Sequence, residues 1–86
     1  MAQPLTYRQL AGIHHDRASI FDRLAKDKRR DARALMQTFT NETPEANKLQ
    51  AIALFDKAVH YHQLGVSATQ QETDANEAAD AAGEPA

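Results

Sequence analysis

The stretch Tyr7–Phe39, YRQLAGIHHDRASIFDRLAKDKRRDARALMQTF, keeps one hydrophobic phase from end to end. At about 100° per residue, Tyr7, Leu10, Ile13, Ala18, Ile20, Phe21, Leu24, Ala25, Ala32, Leu35, Met36 and Phe39 fall within about 160° of arc. A phase held that long predicts one helix of about 50 Å. Thr6 is suited to cap its start, with Gln9 placed to complete a capping box, and Leu5 and Leu10 fit a hydrophobic staple. The apolar face is weakest between Lys26 and Ala34, where Ala32 carries it alone and Lys28 and Asp31 face the same way. A break near residues 26–27 would give a three-helix bundle, which stands as the alternative fold.

A second helix is signalled over residues 44–64. Thr43 reads as its cap, Pro44 as its first helical residue and Glu45 as a first-turn acid. Gly65, after Leu64, reads as a stop in a left-handed turn. Thr40-Asn41-Glu42 is then the connection, short enough to make the helices antiparallel neighbours. The fold class is all-α, an antiparallel helical hairpin over about 7–39 and 44–64.

The second segment is apolar over a wide arc. Ile52, Phe55, Val59 and His62 form one stripe, and Leu54, Ala58 and Tyr61 form another. A single partner helix cannot cover both, and about 60 residues bury little surface alone. Dimerisation into an antiparallel four-helix bundle answers both problems. We therefore expect a homodimer.

Charge divides the chain unevenly. Residues 1–66 hold all ten Lys and Arg against seven acids, a net +3, whereas residues 67–86 hold five acids and no base, a net −5. No large hydrophobic residue follows Val66. The domain division expected is a helical domain over 1–66 and a disordered acidic tail over 67–86, which cannot bury enough surface to offset its ordering entropy.

Several chemistries lack their residues. There is no cysteine, so no disulfide or thiolate metal site. Gly12, Gly65 and Gly83 are isolated and make no phosphate loop. No local motif sets a nucleophile beside a base. The pairs His14-His15 and His60-Tyr61-His62 diverge around their helices rather than converging on an ion. His14 and His62 read as core-edge residues, His15 and His60 as solvated ones. Neither enzyme activity, metal nor cofactor is expected. The longest apolar run, Ala51–Phe55, is too short to span a membrane, and the start lacks a secretion signal, so a cytoplasmic protein is expected.

What remains is a stripe of cations, Arg23, Lys26, Arg29, Arg30 and Arg33, opposite the apolar face of the first helix. An ordinary solvated face carries such residues too, and Asp22, Asp27 and Asp31 are interspersed among them. With Tyr61 as an outlying anchor, the stripe is the candidate partner-binding surface. The function expected is a small protein-interaction module: an adaptor, inhibitor or regulator, of a size that suits a phage or plasmid accessory protein. Its partner would present an acidic surface. The alternative is a nucleic-acid-binding hairpin regulator using the same face, disfavoured by the overall net charge of −2 and the lack of interleaved aromatics. The acidic tail is placed to fold back over the stripe and mask it.

Overall fold

In a computed structural model that describes residues 3–86, two helices pack side by side: α1, Tyr7–Met36, and α2, Glu45–Ala81. They form an antiparallel hairpin measuring 63 × 26 × 14 Å. α1 starts as its sequence predicts. The Thr6 hydroxyl accepts from the Gln9 amide at 3.1 Å, and the Gln9 side chain accepts from the Thr6 amide at 2.9 Å. It runs unbroken through residues 26–27, so the three-helix alternative does not hold. It ends at Met36 rather than Phe39, and the Thr38 hydroxyl donates to the Leu35 carbonyl at 2.7 Å.

The connection differs in detail from the sequence expectation. Pro44, not Thr43, is the capping residue of α2, with ψ of 144°, and it makes no side-chain cap bond. Its carbonyl accepts the first helical bonds, from Asn47 and Lys48. Thr43 turns the other way and accepts from the Thr40 amide at 2.6 Å, which closes the turn.

The larger correction concerns residues 65–86. α2 does not stop at Gly65, and residues 67–81 are not a disordered tail. They continue the helix without interruption and pack on the first half of α1. The only left-handed glycine among the described residues is Gly83, at φ +73°. There the Glu84 amide donates to the Ala79 carbonyl at 2.9 Å and the Gly83 amide to the Asp80 carbonyl at 3.1 Å, the paired bonds of a Schellman stop.

Alanine explains the extension. Among the described residues the buried core is alanine alone: Ala11, Ala25 and Ala32 on α1, and Ala51, Ala58, Ala68, Ala75 and Ala79 on α2. On α1, positions 11, 18, 25 and 32 recur every seven residues, interleaved with His14, Phe21, Lys28 and Leu35. On α2, positions 51, 58, 65, 72 and 79 do the same, interleaved with Leu54, Tyr61, Ala68 and Ala75. This is a heptad seam, with small residues where the helices cross. Methyl side chains let two backbones approach, so contact comes from main-chain and Cβ atoms rather than from long side chains. A segment without large hydrophobics can therefore pack, provided its partner helix supplies a matching small-residue ridge.

Gly65 sits in this seam. A Cβ placed on it would lie 3.5 Å from the Phe21 Cβ and 3.8 Å from the Ala18 carbonyl oxygen, ordinary contact distances. Gly65→Ala should therefore stabilise the protein by about 0.5–1 kcal/mol, because alanine loses less backbone entropy in a helix. Ala68→Leu, at a position with no exposure, should force the helices apart and cost about 1–3 kcal/mol. Urea unfolding of the two variants would check both signs; destabilisation by Gly65→Ala would contradict the helical seam at this position.

Candidate interaction surface

A seam made of alanine leaves the large side chains at its flanks. Leu10, Ile13, Ile20, Ile52, Val59 and Val66 are all exposed. Heptad position sorts them onto two broad sides of the hairpin. On one side, α1 contributes Leu10, Ile13, Ile20 and Leu24, and Leu64 of α2 lies level with Leu24. Arg17 on this side is engaged: its guanidinium meets His14 Nδ1 at 3.0 Å, donates to Gln71 at 3.2 Å, and lies 5.8 Å from the Phe21 ring centroid. We call this the aliphatic side.

The opposite side joins α2's Ile52, Phe55, Val59, His62 and Val66 to α1's Asp22, Lys26, Arg29 and Arg33. Arg29 is half-buried and lines a small recess with Phe55, Ala58, Val59 and His62. A longer groove continues along α2 from His62, bordered by Ala18, Gly65, Val66, Thr69, Gln70 and Thr73 and by Asp22, whose carboxylate is paired with Lys26. We call this the cationic side.

The expected stripe is thereby divided. Lys26 is paired with Asp22 at 2.9 Å, and Arg30 with Asp27 and Asp31 at 3.5 and 3.7 Å. Arg23, Arg29 and Arg33 make no ion pair among the described residues. The stripe does not all lie opposite the contact face, because Arg29 sits at the edge of α2. The Asp22 carboxyl is held below its ordinary value of 3.8, chiefly by the hydrogen bond from Lys26; desolvation opposes the shift, and the charges of Lys26, Arg29 and His62 add to it.

Tyr61 is not an outlying anchor. It is half-buried and stacked on Phe21 across the seam, with ring centroids 6.4 Å apart and planes 20° from parallel. His14 is half-buried as expected, whereas His62 is exposed on the cationic side. His15 is exposed yet meets Glu72 at 3.2 Å. Among the described residues no group of three His, Asp or Glu side chains is arranged to hold a metal ion, and no helix is long and apolar enough to cross a membrane.

Sequence reasoning missed a third feature, at the end of the hairpin far from the connection. Glu84 accepts from the backbone amides of Tyr7 and Arg8, at 3.1 and 3.0 Å. Arg8 in return donates to Asn76 at 2.9 Å and to the Pro85 carbonyl at 3.2 Å, and pairs with Asp80. The first turn of α1 has no acid of its own, so the partial positive charge of its N-terminus is met by a carboxylate from across the hairpin. The acidic segment thus binds α1's first turn and His15, not the stripe at 23–33, and the expected self-masking does not occur. The readable signal was Gly83-Glu84-Pro85, a glycine stop with a proline two residues on. Comparison of the chain with protein-family models, curated proteins and solved structures finds no match.

Glu84→Gln should cost about 0.3–1 kcal/mol and speed hydrogen exchange at the Tyr7 and Arg8 amides while leaving Lys26 to Ala32 unchanged; uniform protection would sink the clasp. For Asp22, folded-state pairing lowers the pKa. Its stabilising contribution is therefore complete above the ordinary value and is lost as pH falls through the depressed one. Lys26→Met should move the Asp22 midpoint up towards 3.8 in a carboxyl-carbon NMR titration, and an unmoved midpoint would show that Lys26 is not the cause.

Proposed function

We propose that this protein is a non-enzymatic interaction module acting in the cytoplasm as a homodimer of hairpins, a small adaptor, inhibitor or regulator that works by occupying a partner's surface. The observation that carries the reading is the amount and kind of surface a lone hairpin leaves open. The chain exposes 6448 Å², whereas a compact 9.5 kDa protein exposes about 5,000 Å². The excess of about 1,400 Å² per chain is more than the roughly 800 Å² that each partner of a standard interface removes from water. Among the described residues it includes the exposed aliphatic side chains of Leu10, Ile13, Ile20, Ile52, Val59 and Val66.

The aliphatic side suits a second copy. Its apolar residues run from Leu10 to Leu24, and Arg17 beside them already has partners. Charge favours an end-for-end arrangement. Residues 22–57, around the connection, carry eight of the ten bases and six of the twelve acids; the remaining half carries two bases and six acids. Laying two hairpins antiparallel sets the positive half of each beside the negative half of the other, in a four-helix bundle with two-fold symmetry. The cationic sides then face outwards.

Light scattering on a sizing column should give twice the 9.5 kDa chain mass, and Ile20→Asp should return a single-chain mass with helical circular dichroism retained. A wild-type mass of one chain at every concentration would end the dimeric reading.

A further inference from the structure

We propose that the groove on the cationic side binds one amphipathic helix of a partner protein, with an apolar anchor in the Phe55–Val59 recess and a carboxylate on Arg29. This deepens the reading as an interaction module and depends on that reading, but not on dimerisation.

The recess bounded by Arg29, Phe55, Ala58, Val59 and His62 has a volume of about 130 Å³. That is the space of about four waters at about 30 Å³ each, enough for one branched aliphatic side chain. It is mostly apolar, so an apolar group gains by displacing water from it. The neighbouring groove, about 450 Å³, begins at the same His62 and follows α2 past Gly65 and Val66. Gly65 lies along its lining. Val59 and Val66 are both exposed on this line, and seven residues separate them, about 10.5 Å along the axis. Side chains at i and i+7 of a second helix have the same separation. An α-helix laid along α2 can therefore seat two anchors at once.

Charge selects the occupant. Arg29 is half-buried at the rim of the recess, and Arg33 follows one turn later; neither makes an ion pair among the described residues. Covering Arg29 with an apolar surface alone would desolvate a cation without compensation, which opposes binding. A second copy docked with its two-fold axis at the recess would bring the same arginines together. A helix carrying Glu or Asp beside its apolar stripe satisfies both requirements, since arginine takes a carboxylate through paired hydrogen bonds. Nucleic acid fits less well, because phosphates would leave Ile52, Phe55, Val59 and Val66 uncovered.

The test uses the full chain and a fluorescein-labelled designed helix of about 18 residues, with leucines every third or fourth residue on one face and glutamates flanking them. Fluorescence anisotropy should show saturable binding, weakened about tenfold or more by Arg29→Glu and by Val59→Glu. Circular dichroism and mass should stay those of the wild type. A control helix with lysine in place of glutamate should bind at least about tenfold more weakly. Equal binding of the two helices, no binding of the acidic one, or preference for a single-stranded RNA or DNA oligonucleotide with the same Arg29 dependence would each overturn the proposal. A dimeric mass alongside absent helix binding would fault this groove alone, whereas helix binding by a monomer would fault the dimer alone.

Discussion

Close approach of two backbones across alanine is the constraint on which this structure depends. Most helical pairs are held by long side chains interdigitating between axes. Here the buried residues among those described are all alanine, and their small size determines where the larger side chains go. Leu35 and Leu54 keep seam positions, but Leu10, Ile13, Ile20, Ile52, Val59 and Val66 are displaced to the flanks. Any apolar surface gained by association therefore lies on the two broad sides of the hairpin and not within it.

That displacement explains which parts of the fold can be read from the sequence. The Thr6–Gln9 capping box, the unbroken α1 and the antiparallel pairing follow from local patterns, and the structure has them. The contact face is harder to read. A wheel weighted by hydrophobic size is pulled towards Leu10, Ile13 and Ile20, whereas the partner actually packs on Ala11, Ala25 and Ala32. The true face is rotated from the apparent one, which carries Arg29 from the solvent side to the edge of α2. The same weighting hides residues 67–81. By counting large hydrophobics they have nothing to bury, yet Ala68 and Ala79 are fully covered and Ala75 is buried too. Gly65 and Gly83 show the limit of a residue type as a signal. Only Gly83 has a positive φ, and its neighbours Glu84 and Pro85 distinguish it.

The candidate site was partly legible for a related reason. Cations at 23–33 stand out in the sequence, but their worth depends on what lies beside them. Lys26 and Arg30 are occupied by carboxylates within α1, a local effect open to spacing rules. Arg29 owes its setting to Phe55 and Val59 on the other helix, which no periodicity in α1 contains. Tyr61 stands out in the sequence by its residue type, yet it fills the seam. Its aromatic ring serves packing with Phe21, and the apolar contribution to the surface comes instead from the smaller Val59 and Val66.

The clasp between Glu84 and the first turn of α1 has a bearing on how order is distributed along the molecule. Contacts near the connection close short loops, while the clasp joins residues 77 positions apart. Once the inner contacts form, each further heptad extends the pair by a small step, so the entropy of bringing the ends together is spread over the whole zipper. The outermost link is then the first to open and the last to close. Opening there exposes alanine and polar surface, while Arg29, Phe55 and Val59 lie much nearer the other end. The hairpin can fray at its termini and keep its cationic recess intact, a gradient of local stability running along 63 Å.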